Sequence, residues 1–142
     1  MADIRAFHID DYDQVRRLWE DTEGVGLSDS DSLENIARFV ARNPGLSLVA
    51  VDAASIVATV LCGHDGRRGL IHHLMVGPVY RRQGLGRALV ARALKGLREV
   101  GIQKCHLLVF NDNVAGRAFW KRIGAEERVT LATFSLVTDR VV

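Results

Sequence analysis

The segment Leu74-Met75-Val76-Gly77-Pro78-Val79-Tyr80-Arg81-Arg82-Gln83-Gly84-Leu85-Gly86-Arg87-Ala88-Leu89 carries the residue types that hold a phosphate. An apolar run ends at a Pro, a basic turn with two glycines follows, and a helical pattern begins directly afterwards. Glycine lets the main chain approach an anion closely. The first N–H groups of a helix point at that anion, with the positive end of the helix dipole behind them. Arg81, Arg82 and Arg87 add mobile positive charge at the same place. The chemistry implied is recognition of a pyrophosphate.

Spacing separates the ways such a loop is used. A P-loop requires a Gly, four residues and then Gly-Lys-Ser/Thr, and the sequence has no such run. A dinucleotide fingerprint requires Gly-x-Gly-x-x-Gly/Ala and an acidic residue at the end of the next strand. Here the third slot is Leu89, and the following strand candidate, Lys104 to Phe110, has no carboxylate. The remaining pattern is Arg/Gln-x-x-Gly-x-Gly/Ala, which Arg81-Arg82-Gln83-Gly84-Leu85-Gly86 fits throughout.

The elements that would position this loop can be read from hydrophobic period and punctuation. Asp3 to His8 is a short strand, and Asp10 or Asp11 caps a helix with Val15, Leu18 and Trp19 inward. Asp21 to Ser32 is a loop. Ser32 to Arg42 is a helix stopped by Asn43-Pro44-Gly45. Leu46 to Val51 and Ser55 to Gly63 form a hairpin, His64 to Gly69 a polar loop and Leu70 to Val76 a strand. Leu85 to Val100 is an amphipathic helix closed by Gly101. Lys104 to Phe110 is a strand, Val114 to Ile123 a helix closed by Gly124, and Val129 to Val137 a last strand. A hairpin region joined to a β-α-β crossover predicts a mixed α/β (α+β) fold, a sheet with helices on both faces.

With 142 residues, residues 1–142 read as a single domain. The net charge of +2 argues against nucleic acid or an anionic membrane surface as partner. Cys62 and Cys105, both in apolar runs, read as small buried hydrophobes without a metal partner at zinc spacing, so no metal is expected. The first residues lack the apolar run of a signal peptide and no stretch reaches a membrane span of roughly 20 residues, so the expected location is cytoplasmic.

With Val76 and Pro78 upstream, the Arg81–Gly86 loop resembles the coenzyme A loop of the GNAT superfamily of N-acetyltransferases. The element order resembles the GNAT fold from first strand to last. The segment Asn113-Val114-Ala115-Gly116-Arg117-Ala118-Phe119-Trp120-Lys121-Arg122-Ile123-Gly124-Ala125 is similar to the superfamily's Asn-x-x-Ala-x-x-Phe/Leu-Tyr-x-x-x-Gly-Phe. Asp65-Gly66-Arg67-Arg68-Gly69 also resembles a segment of one small bacterial subgroup.

The resemblance implies a central, largely antiparallel mixed sheet whose central strands splay. It implies acetyl-CoA as cosubstrate and a primary amine of a small molecule or a peptide as acceptor, attacked directly, with a homodimer allowed. Main-chain groups of Val76 would bind the pantetheine arm. Residues Arg81, Arg82, Gln83, Gly84, Leu85, Gly86 and Arg87 would hold the pyrophosphate, with Asn113 and Trp120 near the cofactor. The N–H of Leu74 or Met75 would receive the negative charge that develops on the acyl oxygen.

Deprotonating the amine is the harder part of this chemistry. An alkyl ammonium with a pKa of about 10.4 is less than about 0.1 % neutral at pH 7, a penalty of roughly 4–5 kcal/mol. A thiolate with a pKa of about 8.5 leaves at a cost of only about 2 kcal/mol. With a period of two, Leu70, His72, Leu74 and Val76 share one face of their strand, and Ile71, His73 and Met75 the other. His72 then takes the place of a catalytic His in arylalkylamine N-acetyltransferases, and His73 reads as structural. Leu70 stands where histone-type members carry a Glu. Trp120 stands where many members have an acidic Tyr, and Ala125 where a Phe is usual.

The acidic loop Asp21 to Ser32 reads as solvated surface or as an attractor of a cationic acceptor. The rival to an enzyme is a catalytically weak acyl-CoA-binding sensor, told apart by turnover. A nucleic-acid module using the Arg pairs would leave the phosphate loop unexplained.

Overall fold

Apolar runs interrupted by Gly, Pro and Asn become strands and helices close to where the sequence places them. In the computed structural model, which describes residues 2–139, the chain forms two compact units divided between Phe110 and Asn111. The first contains β1 (Asp3–Ala6), α1 (Tyr12–Glu20), α2 (Leu33–Arg42), β2 (Leu48–Asp52), β3 (Ser55–His64), β4 (Gly69–Val76), α3 (Leu85–Glu99) and β5 (Cys105–Leu107). Its sheet has the order β1-β2-β3-β4-β5. All neighbours are antiparallel except β4 and β5, which run parallel on either side of the α3 crossover. The expected mixed, largely antiparallel sheet is what forms.

Helices α1 and α2 cover one face. Val15 and Trp19 of α1 and Ile36 of α2 pack with Leu61 of β3 and Met75 of β4 in one buried cluster. Burying each such side chain is worth about 1.5–3 kcal/mol. Ser32 starts α2 by accepting from the Asn35 N–H at 3.2 Å. Asn43 ends it, donating to the Phe39 carbonyl and accepting from the His64 N–H at 3.1 Å, which ties the end of α2 to the end of β3.

Helix α3 lies on the opposite face and buries Leu89, Ala93 and Leu97. Gly69 permits the approach: a Cβ there would lie 2.7 Å from Leu97 and 2.9 Å from the Cys105 Cβ.

Three sequence expectations change. β5 stops at Leu107 instead of Phe110 and pairs only with Gly69–Ile71 of β4. Leu108 and Phe110 remain exposed. Past Ile71, among the described residues, β4 pairs with β3 alone, which leaves β4 and β5 splayed. β2 begins at Leu48, because the Ser47 hydroxyl is occupied across the sheet, accepting from the Cys62 N–H at 3.0 Å.

The third change is in the second unit, which holds α4 (Val114–Arg122). The strand expected at Val129 to Val137 does not form; residues 131–137 have no regular structure. A strand needs a ladder partner for its N–H and C=O groups, and among the described residues this unit contains no other strand.

Candidate active site

The phosphate-type loop folds as its residues require. A 3-10 turn, Pro78–Tyr80, leaves β4, and Tyr80 is anchored by donating its hydroxyl to Asp52 at 2.7 Å. Arg82 and Gly84 are left-handed, with φ of +61° and +80°. Gly84 is the N-cap of α3 and supplies no side-chain hydrogen bond to the helix start. A Cβ on Gly84 would meet nothing within 4 Å, so the mouth of the turn is open. The first intrahelical bond runs from Ala88 N–H to the Gly84 carbonyl at 3.0 Å. The amides of Leu85, Gly86 and Arg87 precede it and are the orphan donors of the first turn. Arg81, Arg82, Gln83 and Arg87 are exposed around them. The Val76 carbonyl accepts from Arg81 Nε at 2.9 Å.

β4 departs from a simple period of two. Thr59 pairs with Met75 and Leu61 with His72, so His73 and Leu74 together oppose Val60. This is a β-bulge, and His73 sits in it with φ of +50°, a conformation His tolerates better than most side chains. The bulge shifts the side-chain alternation. His72 and His73 therefore do not face opposite ways; both lie on the α1/α2 side. The His72 ring is edge-on to Phe39 of α2 at 6.1 Å, and the His73 ring is edge-on to Trp19 of α1 at 4.8 Å. The two imidazoles are 6.3 Å apart.

The bulge is held from below. Trp19 Nε1 donates to Thr59 Oγ1 at 3.0 Å, and Thr59 Oγ1 donates to the His73 carbonyl at 3.1 Å. Trp19 and Thr59 are fully buried. Met75 is buried and Leu74 half-buried.

His73 Nε2 lies 2.7 Å from Asp31 Oδ1, a contact the sequence does not suggest. Asp31 belongs to the 3-10 turn Asp29–Asp31 that precedes α2. It is buried, so this member of the acidic loop is not solvated surface. Its other carboxylate oxygen accepts from the Ser28 N–H at 3.0 Å. Its carbonyl accepts from the Tyr12 hydroxyl at 2.6 Å and from Arg16 at 3.1 Å. The Asp31–His73 contact spans 42 positions of chain. Burial pushes the His72 pKa below its ordinary value, the neighbouring His73 lowers it further, and Asp31 partly opposes both.

In the second unit, Asn113 caps α4, accepting from the Gly116 N–H at 3.0 Å. Trp120 is half-buried, edge-on to Phe119 at 5.2 Å, and Ala125 is exposed. Among the described residues no cluster of His, Cys, Asp or Glu is arranged to hold a metal ion. No helix there is long and apolar enough to cross a membrane.

The chain and its fold have known counterparts. Residues 12–125 match the family model described as Acetyltransferase (GNAT) family. Acetyltransferase SG1711 of Sodalis glossinidius is 33% identical over 140 residues, covering 97% of this chain and 98% of the relative. Acetyltransferase ECA0875 of Pectobacterium atrosepticum is 35% identical over the same length, with the same coverage. An acetyltransferase of the GNAT family from Staphylococcus aureus shares the fold with a TM-score of 0.78 at 17% identity, covering 97% of this chain and 93% of that one. The PaiA N-acetyltransferase of Thermoplasma acidophilum, solved with coenzyme A, gives a TM-score of 0.74 at 20% identity, covering 87% and 89%. The chain belongs to the GNAT family. It is an acetyltransferase.

Proposed function

We propose that this chain, working as one domain over residues 1–142, transfers the acetyl group of acetyl-CoA to a primary amine of a small molecule or a peptide. The observation that carries the reading is the start of α3. An uncapped first turn, an open left-handed Gly84 and three arginines form an anion cradle directly after the central strand. The relative solved with coenzyme A supports the same ligand.

On this reading the amides of Arg82, Gly84, Gly86 and Arg87 hold the pyrophosphate, and the side chains of Arg81, Gln83 and Arg87 surround it. The Val76 main chain takes the pantetheine arm, which has to displace Arg81 from the Val76 carbonyl. Bound acetyl-CoA supplies an acyl carbonyl activated by a good leaving thiol. The Leu74 or Met75 N–H, at the bulge, is the donor for the acyl oxygen, and a preorganised donor of this kind is worth about 10²–10³-fold in rate. A histidine of β4 takes the amine proton. No general acid is required of Trp120, because thiolate departure costs only about 2 kcal/mol. The free Cys62 and Cys105 suit a reducing compartment such as the cytoplasm.

The test joins calorimetry to a panel of amines. The parent is expected to bind acetyl-CoA and to release thiol with at least one amine. Gly86 is buried in the first turn of α3, and Gly86→Glu places a bulky anion there, so binding should fall below detection. Unchanged affinity in that variant would remove the loop from the site. Tight binding with no turnover of any amine would leave an acyl-CoA sensor.

A further inference from the structure

We propose that His73, oriented by the buried Asp31, is the base that takes the acceptor's proton. This rests on the acetyltransferase reading and deepens it. The geometry has three parts. An ionised carboxylate can only accept, so Asp31 Oδ1 at 2.7 Å fixes the imidazole proton on Nε2. The lone pair is then on Nδ1. Asp31 is itself held by the Ser28 N–H on its second oxygen and by Tyr12 and Arg16 on its carbonyl, so it cannot swing away to follow another donor. His73 also keeps partial access to solvent, with its side chain 14% exposed against 6% for Asp31.

Placement adds to this. His73 occupies the bulge itself, beside the amides assigned to the acyl oxygen, and its carbonyl is bolted to the core through Thr59 and Trp19. A reacting carbonyl bound at that bulge is one or two residues along the chain from the base. His72 is turned toward Phe39 instead. The titratable and charged groups around the pair are His72 on β4, and Tyr12 and Arg16 on α1 with Glu20 behind Arg16 at 3.5 Å. Thr59 of β3 does not titrate.

The step balances as follows. The bound ammonium first gives one proton through His73 Nδ1 to solvent; the neutral nitrogen then forms the N–C bond to the acyl carbon, and the C–S bond breaks with its electron pair going to sulfur. The proton shed by nitrogen passes to His73 Nδ1 while Nε2–H stays on Asp31. The imidazolium then gives that proton to the thiolate, which restores the neutral ring and yields amide and thiol.

A bridge that merely ties Asp31 to β4 would show the same contact, so the test separates the two roles. His73→Gln keeps an N–H for Asp31 but has no base. Its kcat/KM should fall about 10²–10⁴-fold at pH 7 and partly recover at high pH, where the amine is already neutral. His73→Gly suits the left-handed backbone, and added imidazole should restore part of its rate. Nitrogen-15 NMR of the parent should show His73 with its proton on Nε2. In Asp31→Asn the amide can donate instead, the proton should move to Nδ1, and activity should fall with it.

A parent with the proton on Nδ1 overturns the proposal without any assay. So does His73→Gln with the parent's rate and pH profile, in a parent that turns over an amine. Loss in His73→Gln that is independent of pH, with no imidazole rescue of His73→Gly, would make the pair structural. If the parent binds acetyl-CoA yet turns over no amine, the acetyltransferase reading fails first and the relay with it.

Discussion

Past the end of β4, the turn into α3 offers main-chain N–H groups, an open glycine and exposed arginines. Along the α1/α2 face of the same strand, the proposed working groups are side chains packed against Trp19, Phe39 and a buried carboxylate. On the proposed reading the turn needs only its backbone path, so its function should survive most changes that keep that path and leave the cradle empty. The histidine side depends on a bulge, a helix and a distant 3-10 turn being in place together. Anion binding and proton handling should therefore fail separately.

Trp19→Ala is expected to break that separation least and the protein most. It empties a fully buried site and leaves Thr59 without its donor, which should cost about 3–5 kcal/mol in urea unfolding. The protein that remains folded should bind acetyl-CoA within about threefold of the parent, since distant sites act nearly independently. A parallel loss of cofactor affinity would show that bulge and cradle are one cooperative element.

A smaller effect is expected from His72→Asn. The His72 pKa is lowered mainly by burial. Below its ordinary pKa of about 6.5 the unfolded chain binds a proton that the folded chain refuses, so stability rises with pH there and is lost as pH falls. Melting curves between pH 7 and pH 5 should fall less steeply for His72→Asn than for the parent. An identical slope would mean the ring is not desolvated.

The smallest effect is on the other side. Arg82→Gly removes a left-handed non-glycine residue whose strain is about 1 kcal/mol, and adds a comparable unfolded-state entropy. The melting temperature should hardly move, while acetyl-CoA affinity should drop several-fold and become less sensitive to salt. A large melting shift would show that the turn is under more tension than its dihedrals suggest.

The turn into α3 was legible because its determinants are adjacent in sequence. Two glycines, three arginines and a helix start within a few positions define both the backbone path and the charge. The sheet was legible for the same reason, through apolar runs and the breakers between them. What was hidden depended on distant contacts. Counting by twos along β4 sent His73 to the wrong face, because a bulge is set by how Val60 is opposed and not by β4 alone. Asp31 looked like one acid among several in a polar loop; only the path of α1 and the turn before α2 bury it. The strand expected at Val129 to Val137 had the right residue types, but strand propensity does not supply a neighbour.

That last segment bears on the protein as a colloid. Nine consecutive residues, Val129-Thr130-Leu131-Ala132-Thr133-Phe134-Ser135-Leu136-Val137, contain no charge and no proline. Their large apolar side chains stand in water, Phe134 at 92% exposure. A stretch of this composition outside any sheet is a template for cross-β stacking between molecules. With a net charge of only +2 to oppose association, this run is expected to limit solubility at high protein concentration. Thr133→Lys would interrupt the run and should raise the concentration at which the protein stays in solution.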